Sequence, residues 1–136
     1  MGSPASGQDL ADLPGPPVLD SVRRRVDPTV DSPVPLRLLR GVEANIRADG
    51  TVDVPDEVLA QLDWVVASLH HGFDKSPTER ILAAMENPYV DCIGHPTGRK
   101  IGKRAPADVD IERLVEKALE TGTFLEINAQ PDRLDL

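Results

Sequence analysis

The stretch Trp64-Val65-Val66-Ala67-Ser68-Leu69-His70 is an apolar run of strand length that ends on a histidine. Such a run, rich in β-branched residues, is typical of a buried strand of a parallel sheet. Two further runs end on a polar side chain: Leu38-Leu39-Arg40-Gly41-Val42 precedes Glu43, and Val90-Asp91-Cys92-Ile93-Gly94 precedes His95. Because the carboxyl ends of parallel strands gather at one edge of a sheet, we expect these three side chains to lie together.

From residue 36 onward, apolar runs alternate with amphipathic stretches of helix length, a pattern that predicts βαβ units and a parallel sheet. The sequence therefore predicts an α/β fold, a partial (β/α) barrel of about four parallel strands with three helices. The predicted strands cover residues 36–46, 64–69, 89–93 and 123–128. The predicted helices cover residues 55–62, begin at Ser76, and begin near Asp110. A closed barrel usually needs about eight such units, so we expect unpaired sheet edges.

Two helix starts carry recognisable signals. Ser76-Pro77-Thr78-Glu79 predicts a capping box. In it the Ser76 side chain accepts from the free amides at the start of the helix, and the Glu79 side chain accepts from the Ser76 amide. The helix after Asp110 has an apolar stripe and ends at Gly122, a plausible C-terminal cap. The stripe comprises Ile111, Leu114, Val115, Ala118 and Leu119.

The first part of the chain differs in composition from the rest. Residues 1–35 hold seven of the 13 prolines, which cannot continue a helix or donate into a central strand. We expect residues 1–35 to be a Pro-rich, largely disordered segment and residues 36–136 to form the partial barrel domain.

Composition limits the function classes. A net charge of −8 argues against broad attraction to nucleic acid. A local basic patch, Arg99, Lys100, Lys103 and Arg104, is nevertheless compatible with a solvated loop or with a rim that grips phosphate. The single cysteine, Cys92, indicates a buried thiol in a reducing compartment. Since no apolar run is long enough to cross a bilayer and no signal peptide is evident, we expect a cytoplasmic protein without membrane contact.

Glu43, His70 and His95 provide two imidazoles and one carboxylate, which suit a divalent metal such as Mn²⁺ or Zn²⁺. With three protein ligands the metal keeps an open position, where bound water can become a nucleophile for hydrolysis. Each residue alone is more often structural; the hypothesis rests on their shared place at strand ends.

Five separated motifs over residues 36–136 resemble the PHP (polymerase and histidinol phosphatase) domain, most closely the one at the C-terminus of bacterial family X DNA polymerases. They are Gly41-Val42-Glu43-Ala44-Asn45-Ile46, Ser68-Leu69-His70, Asn87-Pro88-Tyr89-Val90-Asp91 leading into Gly94-His95-Pro96-Thr97-Gly98-Arg99, Leu125-Glu126-Ile127-Asn128-Ala129, and Pro131-Asp132-Arg133-Leu134-Asp135-Leu136.

The resemblance implies a distorted barrel whose metal cluster hydrolyses phosphoesters, and, in polymerase-linked members, manganese-stimulated trimming of DNA 3′ ends in repair. By the same resemblance, Glu43 matches a bridging carboxylate, and His70 and His95 match histidines on one of its metals. Arg99 is expected to contact substrate phosphate, and Asn128 to orient a ligand or water. The family's His-x-His and Asp-x-His motifs are absent from this sequence, so only one metal position is complete.

Three interpretations remain open on the sequence. The chain is a PHP fragment of the phosphoesterase or 3′-5′ exonuclease type that keeps one metal. Alternatively, it is a catalytically inactive PHP remnant, an interaction module whose sheet edges pair with another copy or with a polymerase. The third interpretation is a truncated reading of a longer polymerase gene.

Overall fold

The computed structural model describes residues 38–136. The expected Pro-rich disordered segment, residues 1–35, lies outside these described residues. The boundary between it and the partial barrel domain therefore stays a prediction.

The described chain forms one four-stranded sheet in the order β1-β2-β3-β4, with every neighbouring pair parallel. The strands are β1 Gly41–Asn45, β2 Trp64–Ser68, β3 Cys92–Gly94 and β4 Phe124–Leu125. Together with three helices, this confirms the predicted α/β class with four parallel strands. Observed strands are shorter than predicted because a strand extends only as far as its neighbour; β1, for example, begins opposite Trp64.

The helices are α1 Asp56–Leu59, α2 Pro77–Met85 and α3 Ile111–Thr121. The predicted C-terminal cap of α3 is confirmed, since Gly122 is left-handed at φ +76°. At the other end of α3, the Asp110 side chain accepts from the Arg113 amide. The predicted capping box of α2 is wrong. Ser76 precedes the helix, but its φ of +46° is far from the extended conformation of a capping residue, and its side chain makes no capping bond.

Helices α2 and α3 pack against each other, and Ile81 and Leu114 are fully buried there. The predicted apolar stripe of α3 is only partly buried, since Val115 is 44% and Leu119 82% exposed. Nothing among residues 38–136 covers that side of α3. Phe124 in β4 and Ile127 beyond it are exposed as well.

Strand β3 is buried along its whole length. Cys92 is 7% exposed, and burial together with the nearby Glu126 and Asp91 carboxylates raises the pKa of its thiol to about 11. This fits the interpretation of Cys92 as a buried, unreactive thiol. No helix within residues 38–136 is long and apolar enough to span a bilayer.

Gly94 leaves room on the sheet for side chains of β2. A Cβ atom at this position would lie 2.4 Å from Ser68 Oγ and 2.9 Å from Val66 Cγ1, so a side chain here would displace the side chains of Ser68 and Val66. Because β2 and β3 are parallel, the chain that leaves β3 enters the same edge of the sheet as the chain that leaves β2.

Candidate metal centre

The three predicted ligands meet at the carboxyl edge of the sheet. Glu43 Oε1 lies 3.3 Å from His70 Nε2 and 3.3 Å from His95 Nε2. One donor atom from each side chain lies within 4.8 Å of the other two. Glu43 pairs in register with Val66, and both side chains line the cavity in which the imidazoles meet. The structure thus places the three residues together, while their role as ligands stays a prediction.

The separations between these atoms suit a metal better than a hydrogen bond. At 3.3 Å, both nitrogen–oxygen contacts exceed the usual range for a hydrogen bond of this type. A tetrahedral ion with bonds of about 2.0–2.1 Å holds its ligand atoms about 3.3–3.4 Å apart. The donor set therefore fits one divalent ion, with little movement needed on the Glu43 side.

His70 is oriented by a relay of two side chains. Its Nδ1 lies 2.6 Å from Asn45 Oδ1, and Asn45 Nδ2 donates to Asp53 Oδ2 at 2.5 Å. Because a carboxylate only accepts, Asp53 fixes the amide with its oxygen toward the ring. His70 Nδ1 must then carry the hydrogen, and the free electron pair of Nε2 points toward Glu43.

His95 is held differently. Its ring is 7% exposed, and within residues 38–136 its Nδ1 has no hydrogen-bond partner. Its backbone, at φ +28°, donates from the amide to Glu126 Oε2 at 2.6 Å. Glu126 Oε1 in turn accepts from the Asn128 side chain at 3.2 Å. Sequence reasoning missed Glu126, although its alternation with Asn128 along the last predicted strand is a signal that both face one side.

The site favours the protonation states that bind metal. Burial lowers the pKa of His70, and the nearby Glu43 carboxylate offsets this only in part. Burial raises the pKa of Glu43, but the adjacent Ser68 hydroxyl and the two imidazoles lower it by more, so its pKa lies below the ordinary value. A neutral imidazole and an ionised carboxylate are the ligating forms.

The cavity above the cluster has a volume of about 310 Å³ and is also lined by Glu126, Asn128 and Arg133. Asn128 thus lines the cavity, and its role stays a prediction. Arg99 does not line this cavity; its Nε donates to the Arg133 carbonyl at 2.9 Å, and it lines a neighbouring cleft. Arg133, which sequence reasoning missed, is the cation beside the cluster, and its Nη1 is buried without a partner within residues 38–136.

No protein-family model matches the chain. It is similar to part of the DNA polymerase/3'-5' exonuclease PolX of Bacillus subtilis, at 50% identity over 103 residues, which is 74% of this chain and 18% of that protein. It is also similar to a probable phosphatase of Caldanaerobacter subterraneus, at 45% identity over 68% of this chain and 37% of that protein. A probable phosphatase of Acetivibrio thermocellus is 39% identical over 68% of this chain and 39% of its own length.

These similarities make the chain homologous to a segment shared by a family X-type polymerase and several probable phosphatases, consistent with a PHP-type domain. The chain spans less than half of each of these relatives.

Proposed function

We propose that residues 36–136 are a PHP-type phosphoesterase domain fragment, related to the DNA 3′-end processing domain of family X DNA polymerases. In this proposal Glu43, His70 and His95 hold one divalent metal, Mn²⁺ or Zn²⁺, which would supply an activated water. The observation that carries the proposal is the convergence of both Nε2 atoms on one carboxylate oxygen at 3.3 Å.

The remaining cavity residues suit a phosphoester substrate. Arg133 lines the cavity and offers a guanidinium as a cation for a phosphate group. In this proposal Asn128, which donates to Glu126, orients a ligand or water. The Arg99 side chain donates to the backbone carbonyl of Arg133. Because Arg99 lines the adjoining cleft, it would contact substrate from that cleft and not from the metal cavity. We also propose DNA 3′ ends as the substrate and the cytoplasm as the location of the protein.

Metal analysis tests this function. Protein stripped with a chelator, reloaded with Mn²⁺ or Zn²⁺ and desalted should retain about one ion per chain, given one complete ligand set. His70→Ala should lose it, while His71→Ala, an exposed neighbour outside the cluster, should keep it. Equal retention by both variants, or none in the unaltered protein, contradicts the proposal. Hydrolysis of a simple phosphoester by the loaded protein then reports on turnover.

A second candidate function is a non-catalytic interaction module. It is favoured by exposed apolar side chains, with Leu119 on α3 82% and Ile127 beyond β4 77% exposed, and by the position of β1 and β4 as outer strands. In this proposal an outer strand pairs with a second copy or with a polymerase. Light scattering tests it: a monomer with a sharp unfolding transition counts against self-pairing.

A further inference from the structure

A basic hairpin follows the metal centre. Lys100 and Arg104 exchange two backbone hydrogen bonds, of 3.0 and 2.8 Å, which close a tight turn. Gly102, at φ +72°, lies at the tip with no atom within 4 Å of where a Cβ would be. We call residues 99–104 the basic hairpin, since Arg99 and Lys103 add to the charges of Lys100 and Arg104.

The charges of the basic hairpin are not compensated. Within residues 38–136, none of its four cations lies at ion-pair distance from a carboxylate. In contrast, Arg40 and Arg113 each pair with one carboxylate and Lys117 pairs with two. The chain as a whole has a net charge of −8, so carboxylates that could pair with these cations are abundant elsewhere in the chain. Gathering like charges without them costs free energy, which a bound polyanion would recover.

The hairpin is also anchored rather than loosely solvated. The Ile101 amide donates to the Asp132 carbonyl at 2.7 Å, and Arg104 Nε donates to the Gly98 carbonyl at 2.8 Å. The Arg104 guanidinium lies 4.1 Å above the centre of the Phe73 ring. These contacts hold the cations around a cleft of about 470 Å³, formed by residues 99–106.

This cleft adjoins the metal cavity. Arg99 lines the cleft, Arg133 lines the cavity, and the two residues are joined by the bond from Arg99 Nε to the Arg133 carbonyl. A chain of phosphates with one phosphate at Arg133 would therefore pass directly onto the basic hairpin. A single phosphate would leave most of these cations without a partner.

We propose that the basic hairpin binds the sugar-phosphate backbone of a single nucleic-acid strand, at the nucleotides next to the one in the metal cavity. The proposal deepens the proposed function and rests on it for one point, that the end of the strand lies in the metal cavity. Binding of the strand to the basic hairpin itself needs no metal. Repeating phosphates match several clustered cations better than a small phosphoester does. The bond from Arg99 to Arg133 places these cations beside the metal cavity, where the end of a strand would lie.

The test is the binding of a fluorescein-labelled oligothymidylate of about 12 nucleotides to the whole chain in EDTA, followed by anisotropy. Lys100→Gln/Lys103→Gln removes two charges without touching the cluster or the hairpin's backbone bonds. Arg47→Gln/Lys75→Gln is the matched control, since it removes two exposed charges that line a different cavity. Circular dichroism checks that both variants fold.

We expect the hairpin variant to bind about tenfold more weakly at low salt, and its salt slope to fall by about 1.4, that is about 0.7 for each lost phosphate contact. The control should stay within about twofold of the unaltered chain. Equal weakening in both variants, or none in the hairpin variant, overturns the proposal. So does hairpin-dependent binding to vesicles containing phosphatidylserine without oligonucleotide binding, because the hairpin would then be a lipid contact.

The two proposals fail separately. If the oligonucleotide binds through the hairpin but metal analysis finds no ion, the hairpin proposal stands and the metal-centre proposal falls. If one ion binds and the oligonucleotide does not, the reverse holds. His70→Ala should keep full oligonucleotide binding in EDTA, since His70 makes no contact with the basic hairpin.

Discussion

His70 and His95 follow neighbouring strands and lie at the same 3.3 Å from Glu43, yet they are supported in different ways. At His70 the support acts on the ring, through Asn45, and the side chain is 35% exposed. At His95 the support acts on the backbone, through Glu126, and the side chain is 7% exposed. The comparison teaches that one imidazole is oriented by hydrogen bonds and the other by burial and loop geometry, so different substitutions should displace them.

The largest effect should come from the loop after His95. Asp135 is 1% exposed, and its carboxylate accepts from the Thr97 amide and hydroxyl and from the Arg99 amide. Asp135→Ala removes the buried acceptor shared by these three donors, so the free energy of unfolding should fall by about 3 kcal/mol. Urea denaturation measures this. Asp132→Ala, at an exposed aspartate nearby, should change it by less than about 0.5 kcal/mol; similar losses in both would refute the assignment.

The two ligand histidines should differ in their cost to stability. In chelator, His95→Ala should lower the free energy of unfolding by about 2 kcal/mol, because a buried ring loses its packing. His70→Ala should cost less than about 1 kcal/mol, because that ring is partly exposed. Both should lose the metal equally. Denaturation and metal analysis of the same two samples decide the matter, and a larger stability loss in His70→Ala would reverse the comparison.

The sequence predicts the shared features of the two strand ends better than their differences. Apolar runs that stop at Glu43, His70 and His95, with parallel pairing, suffice to place these side chains at one edge. The supports depend on contacts between distant parts of the chain, such as Asp135 with Thr97, 38 residues apart, and no local pattern reports them. Local rules also misjudged Ser76, whose left-handed backbone reflects the turn into α2.

Leu119 shows a different limit of sequence reasoning. Periodicity identifies the apolar stripe of α3 correctly, but it does not say which part of the stripe finds a neighbour. Leu114 meets α2 and is buried, whereas Leu119, on the same helix, is 82% exposed. Arg133 was missed for a related reason, since only the contact with Arg99 shows that the end of the chain turns back onto the metal cavity.

Breaking the relay should weaken metal binding on the His70 side alone. Asn45→Ala removes the acceptor that fixes the ring, so affinity for Zn²⁺ should fall by about 10–30-fold, in the range seen for residues that orient metal ligands. Competition with a chromophoric chelator measures this. Asn87→Ala, at an asparagine that binds Asp56 instead, is the control and should leave affinity unchanged. Nitrogen-15 NMR of the metal-free protein should find the His70 hydrogen on Nδ1 only when Asn45 is present.

The smallest effect should be a pH dependence carried by His70. Burial lowers its pKa below the ordinary value of 6.5, so the unfolded chain binds more protons at mildly acidic pH than the folded chain does. The contribution is present above about pH 6.5 and is lost as pH falls through the lower folded pKa. His70→Gln should therefore reduce the decline in unfolding free energy between about pH 7.5 and 5.5, measured in chelator by urea denaturation. His71→Gln should reduce it less, because His71 is exposed. A steeper decline in His70→Gln would mean that the folded state favours the protonated ring, and the relay through Asn45 would then have to hold an imidazolium instead of the neutral ligand.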